Sequence, residues 1–570
     1  MSMFTTFERG VKRLFFTKPA SAYAADAVMA HGLHRSMSLF DLLCIGIGST
    51  VGTGVFVLSG LIANKYSGPS AALSFLISGF ACLFSAASYG ELSSRIPSAG
   101  STYAYAYYAL GEYPAVLAAW ALTLEYGSSG AAVARSWGDK MAFYIEGFGY
   151  SLASSLDAYG INLFAGILMF ACVIILLLGV DIGKFTVNAF TVFKVILVMF
   201  MIITGLAFFN PINMTPAAPY GFSGIMRGAT ASFFGLVGFD EVCCMAAEAQ
   251  RPNIVLPRAV FGTIVITTLL YSFAAFALTG MQPSSQISTQ NGFGDAFRHL
   301  GLGGIAHIVS VGELLCLPVV ALVSFMAQPR LQYAMATDGL MPKLFAEIDG
   351  KGNLTKGIWV GGLICTGIAL FVPFTYLDDM ISAGVLFSFS LSNTALVLIR
   401  RGQVESCDFV THIWHPCSRY LLFFHVVAIA LAAYVPNINS LQGPDGVFHM
   451  AVLLSFGVVE ILVALLIYYQ CPENADSQAA SQYRVPWMPF PPLVGIVINY
   501  LLIAQLSSLG IWLMFLYFGL ATAMYFVHCA RSDWSVSLRH YEESNSPDKI
   551  KTQKASRTVH FSESTPLLHD

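Results

Sequence analysis

Ile45-Gly46-Ile47-Gly48-Ser49-Thr50-Val51-Gly52-Thr53-Gly54-Val55-Phe56 decides how the rest of the chain is read. It lies in the middle of residues 39–63, which carry no charge after Asp41. That run is long enough to cross a bilayer at about 20 residues per span. Four glycines and three small hydroxyl residues sit at its centre. Glycine is a poor helix former, so the helix is expected to break there. A break at membrane depth frees backbone N–H and C=O groups, which only protein or a water-filled cavity can receive. Such breaks build the substrate sites of many transporters.

Gly46-x-Gly48-x-x-x-Gly52 also approaches a dinucleotide-binding fingerprint. No strand precedes it and both flanks are apolar enough for lipid, which argues against that reading. A small-residue face for helix packing is compatible with a break.

Composition sets the class. Of 570 residues, 56% are hydrophobic and 11% charged, against roughly 25% charged in soluble domains. The chain therefore reads as an all-α polytopic integral membrane protein. No short apolar segment with a cleavage site precedes the first span, so no removable signal peptide is expected. The net charge of −3 gives no reason to expect a nucleic-acid partner.

Hydropathy places spans at 39–63, 70–93, 113–137, 162–182, 185–209, 223–248, 259–280, 303–328, 357–377, 380–400, 418–436, 448–470, 490–508 and 511–530. The Tyr-rich stretch from Tyr103 to Tyr108 is a candidate extension of the third. The fourteen divide into a ten-helix core (39–400), a cytosolic loop (401–417) and four further helices (418–530). Residues 1–38 and 531–570 flank them. An even count puts both termini on one side, and Lys and Arg choose which. With the termini inside, 23 of these cations fall in the tails and inner loops. Only Lys65, Lys140 and Arg298 fall in outer loops. Both termini are therefore expected in the cytosol. All 11 cysteines fall in spans, inner loops or the C-terminal end of the last span, so no disulfide framework is implied. The sequon at Asn213 lies in a short outer loop close to the membrane, which disfavours glycosylation.

An ionisable group inside a span costs roughly 2.5–3.5 kcal/mol at the bilayer centre, so each one marks a candidate site. Glu125, Lys194, Asp240, Glu241 and Glu313 are of this kind. The alternative is an inward-facing ion pair that pins helices, which suits Glu313 best. Lys194 has no charged neighbour in its apolar span, and its ammonium can hold carbonyls of a broken helix where other transporters bind sodium. Glu125, desolvated, can take up and release a proton. Span six repeats the theme of span one, with Gly235 and Gly238 among aromatic residues in Phe233-Phe234-Gly235-Leu236-Val237-Gly238-Phe239. Breaks in the first and sixth helices mark two inverted five-helix repeats.

Four motifs carry a resemblance. They are Gly48 to Gly60 in span one, Ala247-Glu248-Ala249-Gln250-Arg251-Pro252-Asn253-Ile254-Val255-Leu256-Pro257 after span six, Pro329 to Pro342 after span eight, and Tyr483-Arg484-Val485-Pro486-Trp487 before span thirteen. In this order they resemble the cationic amino acid transporters of the amino acid–polyamine–organocation superfamily, over roughly residues 30–531. The resemblance implies a LeuT-type 5+5 inverted repeat with helices one and six broken, plus four further spans. It implies that N–H groups near Ser49, Thr50, Val51, Gly52, Thr53 and Gly54 bind a substrate carboxylate. Carbonyls of Thr50, Phe234 and Val237 would take the substrate ammonium, and the Phe234 ring would gate the site. Ser324 matches a small residue lining the distal pocket, which leaves room for a long basic side chain such as that of arginine, lysine or ornithine. Glu125 and Lys194 match charged residues of spans three and five and, with Asp240, are the coupling candidates. Ala247 and Gln328 depart from the family pattern.

Relatives that pair with a single-span glycoprotein carry a cysteine after span three. The loop from Gly138 to Ile161 has none, so no such disulfide-linked subunit is expected. The polar tail after Ala530 is expected to be disordered. Its Glu563, Leu567 and Leu568 resemble an endolysosomal or vacuolar sorting signal read by adaptors, so both the plasma membrane and a vacuolar or lysosomal membrane are candidate locations. No cofactor or metal site is indicated. A transporter, a substrate sensor of the same fold and a membrane-embedded enzyme are the three function classes. The last lacks an HExxH pattern or a nucleophile elbow.

Overall fold

Ser38 starts the first helix. Its hydroxyl accepts from the Asp41 N–H and the Asp41 carboxylate accepts from the Ser38 N–H, a capping box. The computed structural model describes residues 14, 16–18, 36–52, 54–146, 160–289, 291–350, 352–402, 415–435, 446–474 and 483–531. The expected sorting signal at Glu563, Leu567 and Leu568, the polar tail and most of the 401–417 loop lie outside them.

Helix α1 (Leu39–Thr50) stops at Val51, whose backbone is extended. A π-turn (Gly54–Leu58) and α2 (Ser59–Lys65) complete the first hydrophobic segment. Then come α3 (Ala71–Arg95), α4 (Thr102–Ala109) and α5 (Glu112–Thr123). A second π-turn (Leu124–Ser128) leads into α6 (Ser129–Glu146). The single helix expected at 113–137 is thus two helices joined by a π-turn that carries Glu125. It continues past Lys140, which is helical rather than in an outer loop. The Tyr-rich stretch is a helix of its own, because Gly111 at φ +109° turns the chain between them.

Helices α7 (Leu163–Leu177) and α8 (Val180–Ala207) meet at Gly179, a few residues before the expected boundary. The sixth segment is broken as the glycines suggest. It comprises α9 (Gly221–Phe233), a 3-10 turn (Phe234–Leu236) and the short α10 (Glu241–Cys244). The rest are α11 (Pro252–Met281), α12 (Gly292–His299), α13 (Gly303–Thr337), α14 (Thr355–Phe371), α15 (Phe374–Arg401), α16 (Pro416–Tyr434), α17 (Gly446–Gln470), α18 (Phe490–Ile503) and α19 (Ser508–Arg531). Among the described residues, eight helices are long and apolar enough to cross a membrane by length and composition, and four more are apolar but shorter. The broken first and sixth segments fall outside those eight because neither contains one long helix. Among the described residues there is no strand, only an isolated bridge between Met37 and Ala249.

Packing sorts the core into two groups. Helix α11 packs against α1 and α3, and α3 against α9, whereas α6, α7, α13 and α14 form the other group. Helix α8 touches both, through α1, α11 and α13, and α1 also packs directly on α13. Ion pairs tie these elements together. Arg330 Nε donates to Glu248 Oε1 at 2.7 Å, and Lys18 Nζ to Asp338 Oδ1 at 2.5 Å. Lys140 pairs with Glu313, so Glu313 is half of an ion pair, the role that suited it best.

Arg400, at the end of α15, grips Glu91 of α3 with Nη1 at 2.8 and 3.0 Å and reaches Glu473 with Nη2. Arg400→Ala is expected to cost about 3 kcal/mol of stability, the low end for breaking a buried pair. The low end applies because Arg95 and the Val485 N–H still face Glu91. Thermal melting in detergent checks this, and an unchanged midpoint contradicts it.

Candidate functional site

The two breaks meet. A Cβ on Gly235 would fall 2.8 Å from Gly54 Cα, so only glycine permits the approach. Gly238 adopts φ +116°, a conformation that favours glycine. The Ser49 hydroxyl lies 2.9 Å from Gly238 O and 3.0 Å from Gly46 O, and so ties the end of α1 to the sixth segment. Thr50 Oγ1 donates back to Gly46 O at 2.7 Å. Val51 is buried and its N–H is spent on Ile47 O, which removes one of the donors expected to face a ligand.

Tyr271 of α11 occupies the gap in the first segment. Its hydroxyl donates to Thr50 O at 2.6 Å, and the Gly52 N–H points at the Tyr271 hydroxyl oxygen. One phenol thereby serves a freed carbonyl and a freed donor. Gly54 lies against the same ring: an added Cβ would stand 2.6 Å from Cε2. Tyr271 was not among the residues expected from the sequence. Its one signal is a lone tyrosine in the apolar run of span seven, which reads equally well as core. Thr53 and the side chain of Phe234 lie outside what is described. Val237 is half-buried beside the break.

Lys194 has no exposed surface, and its Nζ donates to Gly48 O at 2.8 Å. One turn earlier on α8, Thr191 Oγ1 donates to Cys44 O at 3.0 Å. These contacts fasten α8 to the last turns of α1, and Gly48 O is among the terminal carbonyls that lack a helical partner. The ammonium therefore sits against the end of a broken helix.

Beside the sixth segment, three carboxyls gather. Glu125, on the π-turn, is 1% exposed and faces Asp240 closely enough for the two carboxyls to share a proton. Tyr126 Oη donates to Asp240 Oδ2 at 3.1 Å, and the Cys244 thiol donates to Tyr126 Oη at 3.2 Å. Glu241 accepts from Ser324 Oγ at 2.9 Å, and the Ser49 hydroxyl lies beside the same carboxyl. No basic side chain pairs with any of the three among the described residues, so the ion-pair alternative for Asp240 and Glu241 is not what the structure contains. The π-turn accounts for why the sequence did not foretell the meeting. It shifts the helical register by a residue, a local distortion common at functional sites.

A polytopic helical membrane protein with two interrupted segments enclosing one buried polar site is the class these features define. The profile of the amino acid permease family matches residues 37–459. The chain belongs to that family, within the amino acid–polyamine–organocation superfamily. It is 33% identical over 400 residues to a methylthioribose transporter of Bacillus subtilis, covering 69% of this chain and 87% of the relative. It is 31% identical to a branched-chain amino acid permease of the same organism, covering 65% and 82%. It is 30% identical over 526 residues to cationic amino acid transporter 9, chloroplastic, of Arabidopsis thaliana, covering 89% and 90%. These relatives are transporters or permeases, not enzymes.

Proposed function

We propose that this permease is a secondary transporter of cationic amino acids such as arginine, lysine and ornithine, working by alternating access. The observation that carries the reading is the buried, acid-rich site where two broken helices meet, with no basic side chain opposite it among the described residues. A carboxylate-rich pocket suits a ligand that brings its own positive charge. In this reading the core is a LeuT-type 5+5 inverted repeat with four added spans, fourteen in all, and both termini cytosolic. Freed donors near the first break bind the substrate carboxylate, and carbonyls of Thr50, Phe234 and Val237 take its α-ammonium. Lys194 replaces a sodium ion. Glu125 and Asp240 hold the proton that couples to transport.

A neutral substrate is the second reading, favoured by the likeness to a branched-chain permease and a methylthioribose transporter. Measuring both binding and accumulation of labelled arginine in proteoliposomes tests the proposal. Binding without accumulation would make the chain a sensor.

Glu125→Gln mimics the protonated carboxyl. It is expected to weaken net uptake and flatten its pH dependence, while substrate-for-substrate exchange persists, because proton and substrate alter each other's affinity reciprocally. Uptake measured at several pH values decides this. A variant with the parent's pH profile rules out the coupling role.

A further inference from the structure

We infer that Glu241 is the specificity-determining counter-ion for the cationic end of the substrate side chain, with the Gln328 carbonyl as a second acceptor one helical turn beyond Ser324. This deepens the proposed function and rests on it.

The geometry carries the inference. Glu241 is 2% exposed. Ser324 of α13 and Ser49 at the first break lie at its carboxyl, which places the group where both broken segments and α13 come together. Its Oε1 accepts from Ser324, whereas Oε2 has no donor among the described residues. Gln328 follows Ser324 by four positions on α13, so the two share a helix face. Gln328 Nε2 is turned toward Thr123 Oγ1 at 3.4 Å, and its Oε1, also buried, has no donor. The Gln328 side chain lies 3.4 Å from where a Cβ on Gly127 would stand, in the π-turn that carries Glu125.

The cluster is therefore rich in acceptors and poor in donors. Glu125 Oε1 and Oε2, Asp240 Oδ1, Glu241 Oε2 and Gln328 Oε1 all lack a donor among the described residues. Buried acceptors are normally satisfied, and an unsatisfied one costs free energy. Two carboxyls can share a proton, as Glu125 and Asp240 face each other to do. A proton shared between Glu125 and Asp240 leaves the Gln328 carbonyl without a donor. A guanidinium presents five N–H donors in a planar fork and suits a carboxylate and a carbonyl together. The ligand class is thus a side chain ending in a multi-donor cation.

Arginine and citrulline make the test. They are nearly isosteric, and only arginine is charged. Uptake of each is measured in proteoliposomes for the parent, Glu241→Gln and Glu241→Asp. The parent is expected to favour arginine by at least ~30-fold, the low end for one buried charge contact. Glu241→Gln is expected to bring the arginine-to-citrulline ratio near one while citrulline uptake persists. Glu241→Asp keeps the charge and is expected to retain a preference for arginine. A Gln variant with the parent's ratio overturns the inference alone, as does an Asp variant with no preference. A parent that does not distinguish the two substrates overturns the inference and the cationic reading together.

Discussion

Lys194→Ala is expected to abolish transport while the protein still inserts and purifies. The ammonium is fully buried and donates to Gly48 O at 2.8 Å, in the last turn of a helix that ends two residues later. Removing it leaves a buried carbonyl without its donor and deletes a charge-assisted hydrogen bond worth roughly 1.5–3 kcal/mol. That corresponds to about 10- to 100-fold in any equilibrium that needs the end of α1 held in place. The loss in transport is expected to be larger than the loss in stability, because α1 is one wall of the proposed site. The same fixed charge makes sodium unnecessary. Uptake by the parent protein in sodium-free buffer checks both parts. A steep sodium requirement, or a Lys194→Ala variant with the parent's uptake, contradicts the role.

Gly54→Val is expected to eliminate substrate binding. A Cβ there would stand 2.6 to 2.7 Å from three atoms of the buried Tyr271 ring, closer than such atoms approach. The ring would have to move, and its hydroxyl would leave Thr50 O and the Gly52 N–H. Overpacking of this kind costs about 1–3 kcal/mol. Gly52→Val meets Val320 Cγ2 at 2.8 Å and is expected to act in the same direction. Binding of labelled arginine to purified, monodisperse variants is the check. Normal affinity in either one contradicts the account of the break.

The two breaks were legible in the sequence because clustered glycines weaken a helix at the depth where its backbone has no water to turn to. Lys194 was legible because an ammonium among apolar residues needs an acceptor, and a broken helix supplies one. The partner was not legible: sequence spacing says nothing about which carbonyl of α1 lies opposite α8. Tyr271 stayed hidden since a tyrosine in an apolar helix looks like packing until its hydroxyl is seen against Thr50 O. The π-turn at Leu124–Ser128 left no mark in hydropathy, yet it sets the place where Glu125 meets Asp240. Glu313 shows the opposite case. As a charge in a span it resembles the others, and only Lys140, read from the sequence as a loop residue, reveals it as half of an ion pair.

The central claim is that the meeting point of the two breaks binds and moves a cationic amino acid. A competition panel against labelled arginine uptake in sodium-free proteoliposomes tests it most directly. The account predicts time-dependent arginine accumulation, displaced by lysine and ornithine and far less by leucine, citrulline or methylthioribose, and absent with Gly54→Val. Accumulation that only a neutral compound displaces, or arginine uptake that survives Gly54→Val unchanged, would contradict it.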